Sequence, residues 1–345
     1  VTVPEMMRAV AHAHPCYKGQ KTVIFWSKRG SEAILCHTYR DGDKSRYDYP
    51  ASPRHTGRIV LENADSIRYY EPSKKMLITE ALPPSEDLNL LEISFKNYDW
   101  DVEGDAIVSG HHTKILKAVN KTTGTAAERL WIDSRHNVIL RKESYNQRGE
   151  IYFASYFTDI DYLQSLDPAL FTLNMPSDAK EVIRAIPLRI TNDDQLAALQ
   201  LQLGFKPVIR DTLSSGYQLL TTRREVLNGH QAARMTYSDG LDVVSLVEMP
   251  ATVHEKKGNS TSNLVRLGRT LQFEALLEGN LLQWRDHNIF FTLVGSLPQE
   301  EMEGMYTDIM NGQTAVAEAS PSPAAVQSHG IMYFFWRGIE RLSHL

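Results

Sequence analysis

Residues 204–250 read GFKPVIRDTLSSGYQLLTTRREVLNGHQAARMTYSDGLDVVSLVEMP, and this stretch decides the fold. It follows Thr191-Asn192-Asp193-Asp194, a helix start, and QLAALQLQLG, in which Leu196, Leu199 and Leu203 share one face. Gly204 is placed to stop that helix, because glycine adopts the left-handed C′ conformation without strain. Strand-type residues then run over 216–227, 231–238 and 241–249. Asn228-Gly229 and Asp239-Gly240 separate them and are strong two-residue hairpin signals. Much of this stretch therefore specifies the fold, and none of its residues is assigned to a site.

Downstream, EKKGNSTSN (255–263) reads as an exposed loop, and strands are expected over 270–276, 281–286 and 289–295. PQEEMEGMYTDIM (298–310) reads as a helix with Met302, Met305, Tyr306 and Ile309 on one face. About six antiparallel strands with packed helices make a compact α+β domain over 191–312. Residues 313–345 form a tail: a linker-like segment, then IMYFFWRGIERLSHL, with Ile331, Phe335, Ile339 and Leu342 at helical spacing. Two readings of that end stand, a helix docked on its own protein and an amphipathic segment for a partner or membrane surface.

Upstream, residues 177–190 show no period and read as a linker. Residues 1–176 form a second domain, as expected for 345 residues. Pro4 suits the first turn of a helix carrying Met6, Met7, Val10 and Ala11, which Pro15 ends. Strands are expected over 18–27, 32–40, 58–62, 66–71 and 74–80, then a helix over 85–100 with Leu88, Leu91, Phe95 and Tyr98 on one face. Further strands follow over 106–110, 112–120, 127–134, 138–146 and 150–160. So many antiparallel strands, with one helix before them and one among them, predict a strongly curved sheet wrapped over helices. Such a sheet need not fill its concave side. Phe25, Ile107, Ile115, Leu130, Ile132, Ile139 and Phe153 are its candidate lining residues, set against the plainer reading of each as ordinary core.

Composition narrows the function. The net charge of −5 and short basic runs argue against a nucleic-acid partner, and no stretch approaches the ~20 apolar residues of a membrane span. The chain opens Val1-Thr2-Val3-Pro4 without a signal pattern, which fits a trimmed mature protein or an expressed piece alike. Cys16 and Cys36 are too few for a disulfide framework, and the expected hairpin puts Cys36 opposite a residue near Val23, about seven residues and roughly 20 Å from Cys16. No HExxH, phosphate-binding loop, GxSxG or CxxC occurs, so no catalytic set and no cofactor is expected. A metal at His12, His14 and Cys16 is set aside, because positions two apart on a helix do not share a face. His111-His112 is set aside because neighbours on a strand point to opposite faces.

Two resemblances add to this reading. LWIDS, VILRKESYN, GE and F-x-D-I, in that order, resemble the lipoprotein-carrier family of LolA over roughly residues 1–175. That resemblance implies a half-barrel with a helical lid that holds lipid acyl chains. Gly204-Phe205-Lys206-Pro207, Ser215-Gly216-Tyr217, Tyr237-Ser238-Asp239-Gly240-Leu241 and NIFFTLVGSLP (288–298) resemble the C-terminal domain of the MucB/RseB family. Together they imply a non-enzymatic regulator outside the cytoplasm. It would bind the extracytoplasmic segment of a membrane anti-sigma factor and be released by lipid or lipoprotein. The alternative is a periplasmic carrier or chaperone of lipid or lipoprotein, for which the first domain alone would suffice. Self-association stays open.

Overall fold

The computed structural model describes residues 2–311 apart from 28–29, 52–55, 82–89, 185–189, 191–192, 228–229, 252–261, 267–268 and 277–278. The tail over 313–345 and the Asn228-Gly229 turn lie outside the described residues.

The first domain opens with α1 (Val3–Ala11). A capping box starts it: Glu5 N donates to Thr2 Oγ1 at 3.4 Å and Thr2 N donates to Glu5 Oε2 at 2.7 Å. Six strands follow: β1 (Cys16–Ser27), β2 (Gly30–Asp41), β3 (Lys44–Tyr49), β4 (Arg58–Glu62), β5 (Ser66–Glu71) and β6 (Met76–Ala81). After α2 (Leu90–Asn97) come β7 (Tyr98–Val108), β8 (His111–Asn120), β9 (Ala126–Asp133), β10 (Ile139–Tyr145), β11 (Ile151–Tyr162) and β12 (Lys180–Arg184). They form one open, curved sheet in the order β12-β6-β5-β4-β3-β2-β1-β11-β10-β9-β8-β7. Every pairing is antiparallel except β12 on β6. The period-2 alternation of β3 and β5, which bury Tyr47, Tyr49, Ile67 and Tyr69, gives this sheet one apolar face.

The second domain contains α3 (Asp193–Leu203), β13 (Gln218–Leu227), β14 (His230–Ser238), β15 (Val243–Pro250), β16 (Ser262–Arg266), β17 (Arg269–Leu276), β18 (Gly279–Asp286), β19 (Ile289–Gly295) and α4 (Gln299–Met310). Its sheet runs β13-β14-β15-β19-β18-β17-β16. Leu199 and Leu203 of α3 and Met302, Met305, Tyr306 and Ile309 of α4 share one core with this sheet. Trp284 sits at its centre, stacked on Phe291 with centroids 5.1 Å apart and meeting the edge of Tyr306, also at 5.1 Å.

The α+β architecture and the curved half-barrel are as expected. Four local expectations are corrected. The helix expected over 85–100 ends at Asn97: Tyr98 and Trp100 pair with Asn120 and Ala118 on the neighbouring strand. Their apolar spacing fits a strand as well as a helix, and sheet pairing decides between them. Residues 180–184, expected in the linker, extend the first sheet as β12. Seven strands replace six in the second sheet, because β16 begins at Ser262, inside the segment expected as loop. Cys36 pairs with Lys21, two residues short of Val23, and Cys16 pairs with Asp41, so the offset is smaller than the seven residues expected. Five residues separate the two cysteines along β1, roughly 16 Å at strand rise, and no disulfide joins them.

Candidate functional site

The face of the first sheet beneath α1 and α2 is the candidate ligand surface. Met7 and Val10 descend from α1 onto Trp100, Leu116, Ala118, Leu130, Ile132 and Ile139. Leu91 and Phe95 of α2 pack along the margin. Tyr98 of β7 joins them, and one position in this cluster belongs to the other domain: Leu241, from the connection between β14 and β15, is buried here at 6% exposure. The cleft left around it is about 10 Å³, the size of a single water. A second cluster on the same sheet holds Phe25 and Phe153, edge to face with centroids 5.4 Å apart, against Tyr47, Tyr49 and Tyr69.

The structure thus brings Leu130, Ile132 and Ile139 together and places Phe25 and Phe153 in the adjoining cluster. It does not bring Ile107 and Ile115 to this surface. Ile115 is one position out of phase with Leu116 and Ala118 and pairs with Trp131, so its side chain leaves the opposite face. Ile107 is 67% exposed, beyond a register shift in β7 between Val102 and Gly104.

The inserted connection is held by its own side chains. It is four residues long, 239–242, not the two-residue hairpin expected. Asp239 Oδ1 accepts from Leu241 N at 2.9 Å and from Asp242 N at 2.8 Å, an Asx turn. Ser238 Oγ donates to Asp242 O at 2.7 Å and accepts from Gly240 N at 3.0 Å. Gly240 has φ +97°, and a Cβ built on it would lie 2.2 Å from Ser94 N of α2. Only glycine lets the turn approach the helix backbone this closely.

The first domain grips the turn with polar groups. Asn97 Nδ2 donates to Asp239 O at 2.9 Å and to Gly216 O at 3.1 Å. Tyr98 Oη donates to Asp239 Oδ2 at 2.5 Å, and Tyr152 Oη donates to Asp242 Oδ2 at 2.6 Å. Ile93 packs on Leu220 beside the turn. Further along the boundary Arg223 of β13 forms a buried ion pair with Glu80 of β6. Beneath the turn, Lys142 Nζ lies 2.5 Å from Glu128 Oε2, both nearly inaccessible.

This boundary concentrates acids out of water. Burial pushes Glu128 up to about 7 against the pull of Lys142. Burial, and then the Asp242 and Asp239 charges, push Glu301 up to about 7. Burial, and then Asp242, raise Asp239, while Tyr98 and the Asx-turn amides hold it down. Between the unfolded carboxyl value near 4 and folded values near 7, the folded protein binds protons the unfolded chain has released. Stability therefore falls as pH rises through that window, by about 1.4 kcal/mol per pH unit for each such acid while it titrates. Thermal unfolding should show a midpoint that declines from pH 5 to pH 8; a midpoint that rises over this range contradicts the assignment.

The sequence marked 239–240 as a turn. No signal in it showed that the turn would enter the other domain, because an Asx turn reads the same on a surface and in a groove.

No family model and no curated protein matches the chain. Among solved structures it is similar to MucB in complex with the periplasmic part of MucA, at 13% identity and a TM-score of 0.57, over 88% of this chain and 97% of that one. The Pseudomonas aeruginosa MucA/MucB complex matches at 13% identity and 0.54, over 87% and 95%. MucB alone matches at 13% identity and 0.51, over 88% and 95%. Both domains, in this order, are therefore the MucB fold.

Proposed function

We propose that this protein is a non-enzymatic, extracytoplasmic regulator that binds the extracytoplasmic segment of a membrane anti-sigma factor. The observation that carries the reading is the two-domain likeness to MucB solved with MucA, which spans the second domain as well as the lipid-carrier-like first one. A carrier would need only the first domain. No helix among the described residues is long and apolar enough to cross a membrane.

Lipid or lipoprotein acyl chains are the proposed signal, and the inserted turn supplies a mechanism. Leu241 occupies the apolar face that an acyl chain would need, so chain and turn compete for one place. A ligand shifts a two-state equilibrium only by its unequal affinity for the two states. Direct competition makes that inequality as large as it can be. Lipid entry would expel residues 239–242, free the second domain from α2 and lower its affinity for the anti-sigma segment.

The test is native mass spectrometry of the full chain with the extracytoplasmic segment of an anti-sigma factor encoded beside it, with and without a short-chain phospholipid. A stoichiometric complex that the phospholipid weakens is expected. Lipid that copurifies with the chain, with no complex formed, would replace this reading with that of a carrier.

A further inference from the structure

At the opposite end of the first sheet, His111, Asp133 and His136 converge from two separate turns. His111 opens β8 after Ser109-Gly110, whose φ values of +50° and +81° make a tight reversal. Asp133 closes β9, and His136 stands in the turn before β10, where Asn137 has φ +55°. Ser134 N donates to His112 O at 3.0 Å and ties the two turns together. The potential ligand atoms of the three side chains all lie within 4.8 Å of one another.

The arrangement is built before any ligand arrives. Asp133 is 2% exposed. Its Oδ1 accepts from the backbone amides of Arg135 at 2.8 Å and His136 at 3.0 Å, which aims Oδ2 at the rings. The His136 ring stacks on Tyr162 with centroids 3.5 Å apart, and the His111 ring meets Tyr162 edge-on at 5.3 Å. Both imidazole orientations are therefore set by packing.

Oδ2 faces more donors than it can serve. Tyr162 Oη donates to it at 2.8 Å, His136 Nδ1 lies 3.2 Å away, and His111 Nδ1 lies 3.4 Å away. One carboxylate oxygen offers about two lone pairs. With the tyrosine bond made, the two imidazoles cannot both be well satisfied as N–H donors. A cation at this point reverses the requirement, because each neutral imidazole then presents a lone pair. The two carboxylate–imidazole spacings agree: tetrahedral bonds of about 2.0–2.1 Å set ligand atoms about 3.3 Å apart, against the observed 3.2 and 3.4 Å, and the two imidazole nitrogens lie within 4.8 Å of each other.

We propose that His111, Asp133 and His136 bind a divalent transition-metal ion of the zinc class, with water at the fourth position. The histidine side chains are 29% and 26% exposed, so that position opens to solvent. Three protein ligands plus water is the pattern of an open site, not of a closed structural one. Imidazole nitrogen with carboxylate oxygen suits zinc and its neighbours better than calcium or magnesium, which prefer oxygen alone. Tyr162 and the two backbone amides act as the supporting shell that orients the ligating carboxylate. The ion would clamp the β7–β8 turn to the β9–β10 turn.

The test is isothermal titration of the chelator-stripped full chain with Zn²⁺ in a non-coordinating buffer, repeated with Co²⁺ for its visible spectrum. One equivalent is expected, with tetrahedral-type cobalt absorption. H111A and H136A should each weaken binding at least tenfold, and Tyr162→Phe should weaken it less. Absence of saturable binding overturns the proposal, and so does unchanged affinity in the H111A/H136A double variant, which would move the ion elsewhere. Should the double variant fail to fold by circular dichroism, paramagnetic broadening in the Co²⁺-loaded wild type decides. Broadening confined to amides of residues 110–113 and 134–137 supports the site, and its absence there refutes it.

Discussion

Gly240→Ala should separate the two domains. The added Cβ would meet Ser94 N at 2.2 Å and Ser94 Cα at 2.5 Å, and these are helix backbone atoms that cannot swing aside. Alanine at φ +97° adds backbone strain on the order of 1–3 kcal/mol. Either the turn leaves the groove or α2 leaves the sheet. Both routes release Leu241 from its cluster and break the bonds from Asn97 and Tyr98 to Asp239. Burying a leucine is worth about 1.5–3 kcal/mol, so the total penalty is several kcal/mol. Small-angle scattering should show a larger radius of gyration, and a hydrophobic dye should bind the uncovered groove. Wild-type dimensions and dye binding in this variant would show that the turn does not hold the domains together. On the proposed function the same variant mimics the lipid-occupied state and should bind the anti-sigma segment more weakly.

Lys142→Ala should be the other severe change, and its severity should depend on pH. The lysine and Glu128 are 5% and 4% exposed, with 2.5 Å between Nζ and Oε2. Removing the cation strands a buried carboxylate, which keeps a long contact from Ser144 Oγ at 3.5 Å. Breaking such a pair from one side costs about 3–5 kcal/mol. Glu128 already sits near 7 through burial, with Lys142 the main influence holding it down. Without the lysine it rises further, and the acid escapes the penalty by staying protonated. Measured by denaturant unfolding, the loss should be near its full size at pH 8 and much smaller at pH 5. An equal loss at both pH values would mean that packing, not charge, sets the cost. Lys142→Ala/Glu128→Gln should recover much of the loss at pH 8, because the stranded charge is gone.

The strand meander of both domains was legible because one face of each sheet is buried, and burial imposes alternation on the chain. Tyr98 and Trp100 show the limit of that signal. Their spacing from Leu91 and Phe95 continues a helical stripe, and only pairing with β8 makes them strand. Leu130, Ile132 and Ile139 were legible as one apolar surface, since strand residues of like phase share a face. Ile115 was not separable from them, because its apolar character is the same on either side of the sheet. Phase depends on register, and register shifts such as the one in β7 leave no mark in composition.

The two α+β domains, their order, the presence of a turn at Asp239-Gly240 though not its length, and the lack of any familiar catalytic motif could be read from the chain alone. These follow from local rules: side-chain period, turn chemistry, helix stops. Only tertiary packing sends this turn into the other domain, where it covers the apolar face beneath α1 and α2. Packing alone brought His111, Asp133 and His136 to one point, across gaps of 22 and 3 residues that match no familiar motif. Both are meetings of surfaces distant along the chain. Their partners are chosen by shape, burial and the need to satisfy buried polar groups, and no local pattern carries that information.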